Sequence, residues 1–508
     1  MKWFRAVLAL LPVLAVLWFA GRMIFPVPDV SGRDIEAALA PDGSMALGAQ
    51  SARLSAAHPG QSGVAPLASG HAALRSRLVL ADSAQGSIDA MYYIWHEDVS
   101  GTLLLDALRR AAERGVRVRL LLDDNGIAGL DQTLAALNAM PNFSVRLFNP
   151  STVRKPKMLG YALYPLRMNR RMHNKAFIVD GAAAIVGGRN IGDEYFALGD
   201  APAYLDLDVL GTGEVVADTV AVFDEYWNSE PVLALEQVIP GEGDLSGFEA
   251  ALQAAREDIL AGPGADPVAA EQFGRGELVL DWTDVQVVAD DPAKGMGQIT
   301  RDQLMITRRG QILGMIDSNL DLISAYFVPG KAGAAFFSRL AQEGREVRIL
   351  TNSWEATDVP MVHAGYVKYR RELLEAGVKL YELRPDKDGP RPAQGPGPFG
   401  SSESSLHAKT FAVDDARVFI GSFNFDPRSA LLNCEMGFLI DSPEIAAAGT
   451  EALTNKLITR SYQPVLEGGD MVWRSSGTDG PLDREPGLGF LDRIKVYVLN
   501  LLPIEWLL

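Results

Sequence analysis

Cysteine is all but missing from this chain. Its one copy, Cys434, excludes an internal disulfide framework and any zinc site built from several thiolates. Positive charge is also scarce: 47 Lys and Arg face 64 Asp and Glu, and the formal charge of −17 repels a nucleic-acid backbone or an anionic lipid surface at long range. Any polyanionic ligand must therefore be held by a local basic pocket. Long apolar runs are confined to the N-terminus, which excludes a polytopic membrane protein. With 48% apolar and 22% charged residues, wholesale disorder and a collagen-like chain are excluded as well. What remains is a mainly water-soluble body, and 508 residues suffice for roughly two to four domains or for one fold built twice.

The apolar run, AVLALLPVLAVLWFAG from Ala6 to Gly21, follows Lys2 and Arg5 in the charge-then-apolar order of an export signal. As a helix it spans roughly 24 Å, and with Arg22 snorkelling and the run extended to Phe25 it reaches about 30 Å, one bilayer crossing. Trp18 and Phe19 crowd the small residues that a cleavage site needs, so residues 1–28 are expected to form a retained signal anchor. The flanking charges weakly favour a cytoplasmic N-terminus, with the body outside. In the last stretch, Leu491, Ile494, Val498, Leu501 and Leu502 share one helical face while Asp492, Arg493 and Lys495 fall elsewhere. This amphipathic helix packs on the body or lies in the membrane surface with Trp506 at headgroup level.

An internal repeat organises the body. MHNKAFIVDGAAAIVGGRN, from Met172, matches LHAKTFAVDDARVFIGSFN, from Leu406, so that His173 and His407, Lys175 and Lys409, Asp180 and Asp414, and Asn190 and Asn424 recur at one constant offset. IDAMYY from Ile88 and LISAYF from Leu322 keep that offset. Apolar helical patterns alternate with short β-branched runs in each half, which predicts an α/β fold with two pseudo-twofold-related halves, each with a mixed, largely parallel sheet flanked by helices. Composition divides the chain into a linker with one helix (29–70), a first half (71–240), a connecting segment (241–300), a second half (301–467), and a spacer with the terminal helix (468–508). The Pro- and Gly-rich loop from Arg384 to Ser405 is placed to shape a substrate entrance.

Strand alternation through MHNKAFIVD puts His173, Lys175, Phe177 and Val179 on one face, imidazole beside ammonium. One histidine on a strand is ordinarily a satisfied structural residue. Two copies of H-x-K-x4-D, each followed by G-[GS]-x-N, are not accidental. Brought together by the pseudo-twofold, two imidazoles would flank a pocket with two fixed cations. A phosphodiester fits it: the lysines and asparagines hold nonbridging oxygens, one imidazole attacks phosphorus and the other protonates the leaving alcohol. No helically spaced His pair or carboxylate-rich loop is present, so chemistry without metal or cofactor is expected.

These motifs resemble the phospholipase D superfamily, whose signature is HxKxxxxD twice with a downstream GSxN. HAKTFAVDDARVFIGSFNFDPRSALLNCEMGFLI and GGRNIGDEYF are similar to its bacterial cardiolipin synthase branch. The resemblance implies ping-pong transfer through a phosphohistidine, with His173 as nucleophile and His407 as general acid and base. It also implies phosphate binding by Lys175, Lys409, Asn190 and Asn424, assisted by Ser422; Gly188 stands at the equivalent place in the first half. An acidic residue downstream of each motif orients an imidazole in this family, which maps to Glu435 and to Asp206, with Asp208 as the fallback. Asp180 and Asp414 complete the catalytic signature, although their place at strand ends suits a turn or salt bridge. The implied activity is a phosphatidyltransferase forming cardiolipin from phosphatidylglycerol and a second phospholipid such as phosphatidylethanolamine, at the bacterial inner membrane. The alternative is hydrolysis of a phospholipid, less so of nucleic acid given the acidic charge. A monomer suffices, because both half-sites lie in one chain.

Other residues carry weaker signals. His363 precedes a helix and suits helix entry or the substrate entrance. Tyr92, Tyr93, Trp95 and His96 end a strand at the edge where α/β sites open, with core packing as the default. Arg167, Arg170 and Arg171 form a solvated face or hold anionic headgroups. Cys434 reads as a small buried hydrophobe.

Overall fold

The computed structural model describes residues 2–199, 203–261, 268–308, 314–385, 406–476, 480–501 and 505–507. Two nine-stranded sheets dominate it. The first comprises β1 (Ser62–Leu67), β2 (Ser87–Ile94), β3 (Arg117–Gly126), β4 (Phe143–Phe148), β5 (Ala176–Val179), β6 (Ala183–Gly187), β7 (Asp208–Gly213), β8 (Val232–Ala234) and β9 (Asp281–Thr283). Their spatial order is β8-β4-β3-β2-β5-β6-β7-β1-β9. The second comprises β10 (Val285–Ala289), β11 (Asn319–Ser324), β12 (Glu346–Asn352), β13 (Lys379–Leu383), β14 (Lys409–Val413), β15 (Arg417–Gly421), β16 (Met436–Ile440), β17 (Ser461–Glu467) and β18 (Asp470–Ser475), in the order β10-β16-β15-β14-β11-β12-β13-β17-β18. The repeat maps β2 to β7 onto β11 to β16, as the motif offset requires.

The sheets are mixed, as expected, but most of their pairings are antiparallel, which corrects the largely parallel part of the expectation. Among the described strands, only β2 with β3, β3 with β4, and their counterparts β11 with β12 and β12 with β13 pair in parallel; the other strand pairs are antiparallel. The reason is local. Asp180 and Gly181 adopt left-handed φ of 53° and 60°, and Asp414 and Asp415 φ of 54° and 49°, so each motif strand folds straight back as a hairpin. A hairpin cannot make a parallel pair. The parallel pairs arise where a helix crosses over, as in Val99–Glu113 between β2 and β3. There Asp98 caps the start by accepting the Gly101 amide at 2.9 Å, leucines at 104, 105 and 108 bury one face, and Gly115 at φ 94° ends it.

The halves meet through an apolar layer. Met172, Ala176, Ile178 and Val186 of the first half share one buried cluster with Ala412, Val418, Ile420, Met436 and Phe438 of the second. At Gly211 a Cβ would stand 3.1 Å from the Phe438 ring, so the missing side chain admits that ring to the interface. Each fully buried aliphatic or Phe side chain in such a layer contributes about 1.5–3 kcal/mol.

Composition underestimated the first half at both ends. The supposed linker supplies helix Ala46–Ser55 and strand β1, which sits between β7 and β9. The connecting segment supplies β9, β10 and helices whose Phe248, Leu252 and Phe273 join the first core. The polar spacer holds β18. Residues 386–405 of the expected entrance loop lie outside the described residues.

At the N-terminus a helix spans Lys2–Ile24. The expected transmembrane anchor is not found: among the described residues no helix is long and apolar enough to cross a membrane. The terminal helix is present as Phe490–Leu501 and packs through Val496, while Leu491, Ile494 and Val498 face outward. The side chains of Leu501 and Leu502 lie outside the described set.

Candidate active site

His173 and Lys175 do not lie on a strand as their spacing suggested; β5 begins at Ala176. They occupy an extended segment that pairs across the interface instead. Met172 bridges Cys434 in parallel, the His173 amide donates to the Cys434 carbonyl at 2.8 Å, and the Cys434 amide donates to the Arg171 carbonyl at 2.9 Å. In the mirror arrangement Leu406 bridges Leu205, and the His407 amide donates to the Leu205 carbonyl at 2.9 Å. Each histidine segment is thereby docked on the acid-bearing segment of the other half.

The acids are exchanged between halves. Glu435 of the second half lies 2.8 Å from His173 Nδ1, and Asp206 of the first lies 2.6 Å from His407 Nδ1. A carboxylate that accepts a hydrogen bond from Nδ1–H fixes the proton on Nδ1 and leaves the Nε2 lone pair for chemistry. The Ser422 hydroxyl donates to Glu435 Oε2 at 2.5 Å and accepts the Met436 amide at 3.0 Å, so it braces the carboxylate. Lys175 Nζ donates to the His173 carbonyl at 2.6 Å, and Lys409 Nζ to that of His407. Lys409 Nζ also lies 3.0 Å from His407 Nδ1.

Aromatic rings fix the imidazole planes. Tyr93 meets His173 edge-on at 5.0 Å, Tyr204 stacks on His407 at 5.3 Å and 15°, and Tyr195 meets His407 edge-on at 5.0 Å. Asn190 donates to the Tyr195 hydroxyl at 2.8 Å and accepts the Ile94 amide at 3.3 Å; Asn424 accepts the Tyr326 amide at 3.4 Å. Tyr195 and Tyr204 are functional neighbours that sequence reasoning missed. Tyr195 lies inside the quoted GGRNIGDEYF run and Tyr204 two residues before Asp206, but nothing local shows that either reaches His407.

Burial dominates the electrostatics. It pushes His173 down to about 4 despite Glu435, and His407 down to about 3 with Lys409 adding to the effect. Lys175 is pushed down to about 7, and Lys409 is lowered, again by burial. Burial works to raise the two acids, but His407 and Lys409 hold Asp206 far below the usual carboxylate range, and His173 and Lys175 hold Glu435 below it. The pocket therefore combines ionised carboxylates with neutral imidazoles beside two desolvated amines, a setting in which an entering anion gains much from each cation.

Several expected residues lie elsewhere. Asp180 accepts the amides of Gln85, Gly86 and Ser87 at 3.0, 2.7 and 2.9 Å, and Asp414 those of Asp317, Ser318 and Asn319 at 2.9, 2.7 and 3.0 Å. At the far ends of β5 and β14 they clamp the turns into β2 and β11, the turn role that their place at the strand ends suggests. Asp208 pairs with Arg77 at 2.8 Å rather than with a histidine. Behind Asp206, Arg189 donates to its carbonyl at 2.6 Å. Arg171 is not a solvated face but a buried partner of Asp123 at 2.7 Å. His363 lies 2.5 Å from Glu485, a structural contact of helix Pro360–Glu375. Tyr92 and Trp95 are core residues, while His96 is exposed beside Glu194. Cys434 is buried, which pushes its thiol up to about 12.

The family model described as cardiolipin synthase, PLD-like domain matches residues 78–227 and 312–456, one span in each half. The chain belongs to the cardiolipin synthase family of the phospholipase D superfamily. It is a phosphatidyltransferase of that superfamily. The chain is 43% identical over 459 residues to cardiolipin synthase C of Escherichia coli, covering 89% of this chain and 97% of that one. It is 26% identical over 386 residues to cardiolipin synthase 2 of Staphylococcus epidermidis, covering 75% and 66%. Among solved structures, phosphatidylserine synthase of Haemophilus influenzae superposes with a TM-score of 0.56 at 16% identity, over 90% of this chain and 100% of that one, a likeness of fold. In this cardiolipin synthase family member each matched span contains one His-Lys motif.

Proposed function

We propose that the enzyme makes cardiolipin, moving a phosphatidyl group from a donor phospholipid onto a glycerol hydroxyl of phosphatidylglycerol, with phosphatidylethanolamine or a second phosphatidylglycerol as donor. The exchanged histidine–carboxylate pairs carry this reading, because two imidazoles with Nε2 free and oppositely tasked are what a two-step transfer requires. His173 Nε2 attacks phosphorus: an N–P bond forms, the P–O bond to the leaving alcohol breaks, and that oxygen takes the Nε2 proton of His407. The incoming phosphate anion, placed against Lys175 and Lys409, favours the protonated His407 by its charge. The acceptor hydroxyl then returns a proton to His407, its oxygen attacks phosphorus, and the N–P bond breaks. Lys175, Lys409, Asn190 and Asn424 bind the phosphate. Ser422 acts through Glu435.

Two apolar surfaces support membrane seating. Leu11, Leu14, Leu17 and Phe19 are exposed on the N-terminal helix, and Phe490, Leu491, Ile494 and Val498 on the terminal one. We read both ends as membrane-seeking helices that lie on the bacterial inner membrane through these apolar side chains. One chain suffices for catalysis.

The test is product analysis. Full-length protein in mixed micelles of phosphatidylglycerol and phosphatidylethanolamine should yield cardiolipin by mass spectrometry, absent with His173→Ala, and acyl-chain labelling names the donor. Phosphatidic acid without cardiolipin would replace transfer by hydrolysis.

A further inference from the structure

A second basic pocket is left unused by the transfer chemistry. A cavity of about 1010 Å³ opens between the N-terminal helix and the short helices Met158–Leu163 and Pro165–Met168. Trp18, Leu163 and Met296 give it apolar walls, Arg22 and Arg167 a basic one, and none of the histidines or lysines of the active site lines it. The Trp18 indole donates to the Ala162 carbonyl at 3.2 Å and holds the helix against this segment.

Among the described residues, neither arginine is paired with an acid. Arg167 Nη1 donates to the Pro150 carbonyl, while its Nε and Nη2 are buried with no hydrogen-bond partner. Buried guanidinium donors left unmet are costly, and such groups are found paired far more often than not. Burial, with Arg171 adding like charge, pushes Arg167 down to about 10, yet it stays cationic at neutral pH. Arg22 lies 4.6 Å from the Trp18 ring centre and 4.7 Å from that of Tyr164, held between the rings. Of the acids in the wall, Asp29 is engaged by the Ser31 amide and hydroxyl, each at 2.9 Å, and Glu230 is the other. Leu166 of the lining and the neighbouring Met158 and Leu159 are exposed, as are Leu14 and Leu17 of the N-terminal helix. A cationic recess bordered by outward-facing apolar side chains matches a phospholipid, phosphate inward and acyl chains along the helix.

We propose that this cavity binds the headgroup of an anionic phospholipid at a site separate from the catalytic histidines. Such a lipid would hold the N-terminal helix on the body. The inference rests on the membrane seating proposed above and not on the transfer chemistry.

Photoactivatable phosphatidylglycerol tests it on the full-length His173→Ala chain in nanodiscs, where turnover is absent. Peptide mapping should find label around Trp18 and Leu163 to Arg167, and Arg22→Gln with Arg167→Gln should lower it roughly tenfold, as loss of charge-assisted hydrogen bonds predicts. Met296→Trp, which fills the cavity, should do the same and decides the matter if the arginine variant does not fold. Unchanged labelling in either folded variant overturns the proposal. So does equal labelling by photoactivatable phosphatidylcholine, which would mean plain bilayer contact, and so does displacement of the lipid by millimolar inorganic phosphate. Label in the cavity but none near His407 would fault the transfer reading and leave this one standing.

Discussion

Replacing Asp206 by Asn separates the roles of the two histidines. The carboxylate lies 2.6 Å from His407 Nδ1 in a buried setting, so the charge centres are about 3.5 Å apart. At an effective dielectric near 20 the attraction lost with the imidazolium is about 4–5 kcal/mol, or roughly three orders of magnitude in the fraction of His407 able to donate a proton. Cardiolipin formation should fall by about 10³. A donor with a p-nitrophenolate leaving group needs no proton to depart. In a rapid-quench burst assay with that donor, Asp206→Asn should release nitrophenol within about tenfold of the parent, whereas Glu435→Gln, which weakens the nucleophile His173, should be slowed by roughly 10² or more on either donor. Equal losses of the two variants on both donors would refute the division of labour. Rescue of Glu435→Gln instead would make His407 the nucleophile.

Acid should weaken the fold through the same histidines. Burial holds His173 near 4 and His407 near 3 against 6.5 for the free side chain, so below 6.5 the unfolded chain takes up protons that the folded chain refuses. Stability is thus full above pH 6.5 and is lost as the pH falls toward 4; melting temperatures should drop over that window, and less steeply in His173→Gln with His407→Gln. Asp180→Ala, which strips the acceptor from three amides, should cost about 2–4 kcal/mol in urea unfolding while turnover per folded molecule stays within a few-fold. Because its hydroxyl faces Glu435, Ser422→Ala should lower kcat roughly tenfold and leave KM in place, a split that a phosphate-binding hydroxyl would not give.

What could be read without a structure was whatever repeats or alternates along the chain. The two His-Lys motifs stood out because a duplicated pattern survives any error about local structure, and the same offset predicted which strands correspond. Aligning LDLDVLG with NCEMGFL favoured Asp206 over Asp208, and the two prove different: one meets His407, the other Arg77. Spacing misled where a turn overrode it. The left-handed Asp180 and Gly181 reverse the chain, so a pattern of alternating helices and strands became a mixed sheet. Composition misled for β1, whose residues are poor in the usual strand formers and join the sheet because β7 and β9 offer them free edges.

The exchange of acids between halves belongs to a different level. Glu435 and His173 are far apart in the chain, and no periodicity relates them; they meet because apolar faces of β5 to β7 and β14 to β16 pack together and align Met172 with Cys434 and Leu205 with Leu406. Tyr204 stacks on His407 for the same reason, and Arg167 parts company with Arg171 because one turn of chain separates a cavity wall from a core ion pair. Sequence order carries the identities and local periods of the groups, so the chemistry was legible in it. Which group faces which is set by non-directional burial of surfaces distant in the chain, and that is resolved only when the halves close on each other.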